Sequence, residues 1–418
     1  MMKQVTAIVI GAGKRGNIYV QQAIPGSLKV LGVAEPDEIR RAKFQEKHHL
    51  SEENCFSSYE DIFSKPQMAD LAIICTNDAL HIQPAEMALG KGYHILLEKP
   101  IATSPEEVYR LAKVAEKSDR IFSVCHVLRF TPFFKTLKGI LDSGRIGRVV
   151  SIAHSENVGY WHQAHSYVRG NWRNSKNASP MILAKSCHDM DILYYLIGSK
   201  CKKISSFGSR LHFRAENAPK GAPKRCLDNC PYYDTCQFNA VRLYLNGPLK
   251  DWCKIPFNLA DTQPDSIIEA LKTNGYGRCV YYCDNDVVDN QVVNLQYENG
   301  ATAAFTMCAF TKENNRVLRI MGTDGEIEGD LAGGSIIVKE FKTGNENRIS
   351  IPPSAGGHNG GDYGIINSVI AAIKGQAEEG SAAADSLEAH MIAFAAEKSR
   401  LEEQTIDMDE FITQIKNA

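Results

Sequence analysis

The chain has 418 residues, 44% of them hydrophobic and 23% charged, with a formal net charge of −2. That length suits two or three domains of ordinary globular composition. The near-neutral charge offers no footprint for nucleic acid, and no run of about 18 apolar residues is present to span a bilayer.

Residues 1–126 alternate between strands and helices. Met1-Met2-Lys3-Gln4 runs straight into the strand Val5-Thr6-Ala7-Ile8-Val9-Ile10. No secretory leader pattern is seen, so a cytoplasmic location is expected. A glycine turn, Gly11-Ala12-Gly13-Lys14-Arg15-Gly16, leads to a helix over about Arg15 to Ala23. Leu28 to Ala34 is a second strand and ends at Glu35. A charged helix from about Asp37 to His48, a strand from Ala69 to Cys75 and a helix from about Leu80 to Lys91 follow. Tyr93-His94-Ile95-Leu96-Leu97 then runs into Glu98-Lys99-Pro100. Ser104-Pro105-Glu106-Glu107 supplies a cap, a first-turn proline and early acids for a helix to about Ser118. Ile121 to His126 is the last strand of this half. Such alternation predicts βαβ units and a parallel sheet.

Beyond Arg129 the pattern changes. A helix from about Phe133 to Ser143 precedes a strand from Arg148 to His154. From Val287 the chain reads as an antiparallel meander. Val292–Tyr297 and Ala301–Thr306 flank Glu298-Asn299-Gly300, a strong hairpin signal. Val317–Met321, a Thr323-Asp324-Gly325 turn and Ile336–Glu340 extend the sheet, and two helices, about Tyr363–Lys374 and Ala383–Glu403, close the chain. Asn217 to Lys224 is linker-like and introduces a cysteine-rich insertion over about 214–283.

The glycine turn has the G-x-G-x-x-G spacing between a strand and a helix. Gly11 permits the tight turn, Gly13 lets the backbone approach a pyrophosphate, and Gly16 allows close packing of helix on strand. Lys14 and Arg15 lie inside the turn. Glu35 follows Gly16 at the distance of a ribose-binding acid, which favours NAD; Arg40 and Arg41 keep NADP open. Thr76, Asn77 and His81 leave a neighbouring strand at the same sheet edge and join the cofactor set with Glu98 and Lys99. His81 is equally a candidate helix cap. Lys99 stands at a strand's carboxyl end, beside the ligand crevice of an open parallel sheet. An ammonium there can exchange a proton next to a nicotinamide, so the first half points to hydride transfer.

Gly11-x-Gly13-x-x-Gly16, Glu98-Lys99-Pro100, Arg129-Phe130 with Ser143-Gly144-Arg145-Ile146-Gly147, and His188-Asp189-Met190-Asp191 together resemble one family. It is that of the glucose–fructose oxidoreductases, inositol dehydrogenases and MocA-like proteins (Gfo/Idh/MocA). The resemblance covers nearly the whole chain. It implies an N-terminal Rossmann domain over 1–126, with a doubly wound parallel sheet. It also implies a C-terminal α+β domain over 127–418, with a large, mostly antiparallel open sheet. The implied activity is hydride transfer between nicotinamide and a secondary alcohol or ketone of a sugar, cyclitol or related polyol. A homodimer or homotetramer through the C-terminal sheet is implied as well.

On that resemblance Lys99 is the base and His188 shares the substrate hydroxyl or relays its proton. A free lysine titrates near pH 10.4 and needs burial or a neighbouring positive charge to act at neutrality. Many members carry an aspartate four residues before the histidine. Here that position is Ala184, followed by Lys185, a second cation that joins the catalytic set. Asp189 and Asp191 read as structural. Substrate contacts are expected from His126, Arg129, Trp161, His165, Arg169, Trp172 and His358; the 161–173 segment is rich in rings and hydrogen-bonding groups and equally suits an oligomer contact. Two other outcomes stay open on the same fold: a redox-neutral, NAD-dependent glycoside hydrolase or lyase, and a non-catalytic sugar sensor. Net release of NADH separates the dehydrogenase from the lyase.

The insertion holds Cys226, Cys230, Cys236 and Cys283, with Cys253 and Cys279 nearby. Thiolates around a structural zinc would staple a loop lacking a core of its own. Unliganded thiols or an iron–sulfur cluster are the alternatives.

Overall fold

The structure, a computed structural model, describes residues 4–259, 261–354, 356–377 and 382–417. The opening Met1-Met2-Lys3 segment lies outside them. Six parallel strands form the first sheet: β1 (Val5–Ile10), β2 (Leu28–Ala34), β3 (Cys55–Phe56), β4 (Leu71–Ile74), β5 (His94–Leu97) and β6 (Phe122–Val124). Their order is β3-β2-β1-β4-β5-β6. Every residue of β4 is buried, because helices cover both faces of the sheet. The order reverses between β1 and β4, the place where a doubly wound sheet opens a ligand crevice.

The expected caps form. Ser104 Oγ accepts from the Glu107 amide at 3.3 Å, and Pro105 begins the Pro105–Glu116 helix. One helix from the far end of the chain also belongs to this layer. Ile365, Ile366, Val369 and Ile370 of the Gly361–Ile373 helix share a core with Val5, Ala7, Val9 and Tyr19.

The second sheet has nine strands: β7 (Val149–Gly159), β8 (Cys201–Ser209), β9 (Asn290–Tyr297), β10 (Thr302–Thr311), β11 (Asn315–Gly322), β12 (Gly325–Asp330), β13 (Ser335–Glu340), β14 (Glu346–Ser350) and β15 (Ile406–Asp407). Their order is β14-β13-β12-β11-β7-β10-β9-β8-β15. All pairs are antiparallel except β7 with β10, which run parallel. The Asn299-Gly300 hairpin joins β9 to β10, with Gly300 at φ +87°. The pleat sorts the residues. Ile152, His154, Glu156 and Val158 of β7 are buried, and His154 reaches Asp189 of the Cys187–Ile197 helix. A row on the opposite face, Phe207, Val292, Thr306, Ser155 and Val317, crosses five strands in register. No helix among the described residues is long and apolar enough to cross a membrane.

The insertion differs from expectation. It has a core of its own: Phe213, Phe238, Val241, Leu243, Tyr244, Leu249, Ile267, Leu271 and Val280 pack with Ala164 and Val168. Among the described residues no group of three or more histidine, cysteine or acidic side chains is placed to hold a metal ion. The zinc expected on Cys226, Cys230, Cys236 and Cys283 is therefore not supported. Cys226 Sγ instead accepts from the Ala240 amide at 3.5 Å and from Arg169 at 3.6 Å, and Cys283 Sγ faces the Cys279 carbonyl at 3.4 Å. Burial raises the thiols of Cys236 and Cys283 and pushes Cys279 up to about 11, which keeps them protonated. Apolar packing holds the insertion together.

Candidate active site

The glycine turn leaves β1 and starts the Lys14–Gln22 helix. Gly11 sits at φ +92°, and a Cβ there would stand 2.6 Å from the Cys75 carbonyl oxygen. Gly13 is different: a Cβ on it would meet nothing within 4 Å. The open cradle therefore lies over Gly13, and no side chain caps the helix start. Amide donors at such a start suit a phosphate. Glu35 is buried at the end of β2; its carboxylate accepts from the Ala12 amide at 2.8 Å and the Asp37 amide at 3.1 Å. The acid is thus fixed beside the turn. These residues fit a dinucleotide.

Arg15 turns away from the cradle. It bonds Glu98 at 2.5 Å and Asp362 at 2.7 Å, and also reaches Tyr19. Tyr19 Oη donates to Glu98 at 2.6 Å. Burial alone would raise the Glu98 carboxyl, but Arg15 and Lys99 outweigh it and hold it below the usual range. Asp362, at the start of the Gly361–Ile373 helix, is held low by His358 and Arg15 against its burial. This network joins the glycine turn, the β5 exit and the far end of the chain.

Lys99 follows Glu98 before a cis peptide to Pro100. Its Nζ donates to the Ala184 carbonyl at 2.5 Å. A main-chain oxygen thus meets the lysine at the position where related motifs carry an aspartate. His188 lies one turn further on, 4% exposed, with Nδ1 lacking a hydrogen-bond partner. Burial, then the charge of Lys99, then that of His358 hold its imidazole well below the usual value. Its ring centre is 5.8 Å from His358 and 6.2 Å from His126. His126 stands 5.5 Å from His390 and is wholly buried.

Lys185 does not stand free beside Lys99. Its Nζ lies 2.7 Å from Glu156, and Arg316 bridges Glu156 and Asp189 at 2.6 and 2.7 Å. Burial lowers the Lys185 ammonium against the pull of Glu156. Asp189 also meets His154 at 2.8 Å, and Asp191 takes Arg129 at 2.7 Å. These two acids anchor the histidine helix.

The remaining residues separate into two groups. Arg129 is 5% exposed and bonds Asp191 and Asp385; Arg169 is 2% exposed and donates to the Arg278 and Phe238 carbonyls. Neither guanidinium is open to a ligand, because both tie chain segments together. His81 likewise turns both ring nitrogens to the Pro100 and Thr76 carbonyls. Trp172 Nε1 donates to Asp78 at 3.3 Å, beside Asn77 at the exit of β4. Thr76 Oγ1 donates to the Leu80 carbonyl in the same loop. A cavity of about 180 Å³ there is lined by Asn77, Asp78, Asn171, Trp172 and Arg173. Trp161 and His165 enter a cluster of rings with His162, Trp252 and Tyr276. Sequence reading missed Trp252, Glu156 and Arg316, which sit in no short motif. His162 lies in the 161–173 segment singled out above, and Asp362, a candidate cap for its helix, instead pairs with Arg15 and His358.

Comparison with known proteins fits this geometry. Residues 5–126 match the oxidoreductase-family model with an NAD-binding Rossmann fold, and residues 138–408 match the family's C-terminal alpha/beta domain. The chain belongs to the Gfo/Idh/MocA oxidoreductase family. It is 23% identical to Bacillus subtilis YteT over 359 residues, 80% of each chain. It is 25% identical over 223 residues to scyllo-inositol 2-dehydrogenase (NAD(+)) of the same organism, covering 51% of this chain and 59% of that protein. A solved levoglucosan dehydrogenase, in complex with NADH and levoglucosan, superposes with a TM-score of 0.71 at 18% identity, over 97% of this chain and all of that one. At that identity the likeness is one of fold.

Proposed function

We propose that this oxidoreductase uses NAD to oxidise, or NADH to form, a secondary alcohol on a sugar, cyclitol or related polyol. Residues 1–126 hold the dinucleotide in this reading, and residues 127–418 hold the substrate. The observation that carries it is Lys99 at the exit of β5 with its Nζ on the Ala184 carbonyl, one helical turn before His188, in a sheet whose glycine turn leaves open space over Gly13. Bound nicotinamide would supply the hydride acceptor. Gly11, Gly13 and Gly16 shape the phosphate seat, and the Glu35 carboxylate favours ribose hydroxyls over a 2′-phosphate. Lys99 takes the hydroxyl proton, with Nζ aimed by the Ala184 carbonyl. His188 shares that proton, since its buried ring is an acceptor at neutral pH. Trp161, His165, Trp172 and His358 frame the substrate. Self-association over the open face of the nine-stranded sheet belongs to the same reading.

The test follows the absorbance of the reduced cofactor while NAD is offered with a panel of cyclitols, sugars and glycosides. Turnover of at least one panel member is expected. Lys99→Met should lower kcat by about 10²–10⁴-fold with dinucleotide binding kept. Substrate consumption without net NADH would instead support the redox-neutral route. A chain that binds neither NAD nor NADP ends the proposal.

A further inference from the structure

The insertion reaches back to the glycine turn. Trp252, in the Lys250–Trp252 turn, rises from the insertion core beside Leu249 and Cys253. Its ring meets Trp161 at 5.4 Å, His162 at 5.0 Å and His165 at 5.8 Å, each nearly edge to face. The ammonium of Lys14 stands 4.8 Å from the centre of the same indole. That is the geometry of a cation held over a negative ring face. Three segments distant in sequence meet here: the cofactor turn, the 161–169 segment and the insertion.

Lys14 is the first residue of the helix that follows the turn. Its place is where backbone amides face a phosphate. Lys14 appears in no ion pair among the described residues, although Arg15 beside it has two carboxylates. The indole is therefore the group that restrains this flexible ammonium. A side chain ordered before binding loses less freedom when a ligand arrives.

We infer that Trp252 is a positioning residue for the dinucleotide: it holds Lys14 over the phosphate turn and so ties cofactor affinity to the insertion. This rests on the reading that a dinucleotide occupies the turn. Trp252 acts through Lys14, so its effect belongs to dinucleotide binding and to KM for the dinucleotide rather than to kcat. Trp161, His162 and His165 hold the indole upright from the second domain. The insertion then has a task that an apolar staple alone lacks.

Calorimetric titration of NADH into the full chain tests this. Trp252→Leu keeps an apolar bulk without a ring face and should weaken NADH about three- to tenfold. Trp252→Phe should retain most of the affinity. Lys14→Met should weaken binding, and adding Trp252→Leu to it should cost nothing more. Incorporation of fluorinated tryptophan drains the ring face of charge without changing its shape. It should weaken NADH in the wild-type background and not in Lys14→Met, and it serves if the leucine variant does not fold. Unchanged affinity of Trp252→Leu, or a loss that recurs undiminished in Lys14→Met, overturns the inference. Absence of NADH binding by the wild-type chain overturns the dinucleotide reading itself, and this one with it.

Discussion

Burial sets the charge of the imidazoles around Lys99. His126 and His188 are held well below their usual value, and His165 and His390 down to about 3, with desolvation the largest cause in each. In the unfolded chain each titrates near pH 6.5. Between the folded and unfolded values the unfolded state binds protons that the folded state refuses, so stability falls as pH falls. We expect denaturant midpoints to be steady from pH 8 to 7 and then to drop, with at least ~2 kcal/mol lost by pH 5. A second loss should follow below pH 4, where Asp189 and Asp362 give up their depressed ionised forms. A midpoint unchanged down to pH 5 would show that the rings take protons in place. At this scale the sequence exposed Lys99 and His188 through their motifs. It did not show that a carbonyl of Ala184 would meet the lysine, because any residue carries that oxygen. Nor did it show that Lys185 would be absorbed by Glu156, a pairing made only when β7 packs on the histidine helix.

Among elements, the turn after β1 gives the sharpest contrast. Gly11 and Gly13 stand two residues apart, and their tasks differ. An added Cβ at Gly11 collides with the Cys75 carbonyl at 2.6 Å and must also adopt φ +92°, whereas at Gly13 it meets no protein atom within 4 Å. Gly11→Ala is expected to lower the melting temperature together with dinucleotide binding. Gly13→Ala should melt as the wild type does and still lose NADH affinity, by about tenfold or more, since the methyl fills the space a phosphate approaches. Equal NADH binding by Gly13→Ala and wild type would place the ligand elsewhere. Most elements were legible: five of the six strands of the first sheet, the Ser104 cap and the Asn299-Gly300 hairpin all rest on local chemistry. β3, β8, β12, β14 and β15 were not foreseen. β14 is mostly exposed and β15 has two residues, so neither shows a buried alternation to read. The insertion was read as coreless because its apolar residues are scattered between turns and meet only in space.

At the scale of the molecule, the outer face of the second sheet is open among the described residues. Phe207 is 61% exposed and Val317 42%, and both belong to the row that crosses five strands of the second sheet. Apolar residues aligned on an open sheet suit a second copy of the chain. Light scattering should give a dimer or tetramer, and Phe207→Glu should lower the measured mass. A wild-type monomer at all concentrations would leave this face without a partner of its own kind. The sequence by itself determined the family, the parallel first sheet, the glycine turn and the Glu98-Lys99-Pro100 exit, because short-range stereochemistry and strand–helix alternation are written in neighbouring residues. Only the tertiary structure decided that a helix near the C-terminus would pack on the first sheet and deliver Asp362 to Arg15, that Arg129 and Arg169 would be internal ties, and that Trp252 would stand over Lys14. Such pairings join residues from 62 to 347 positions apart. They are selected by which buried charges and rings must find partners once the layers close, and no local pattern encodes that choice.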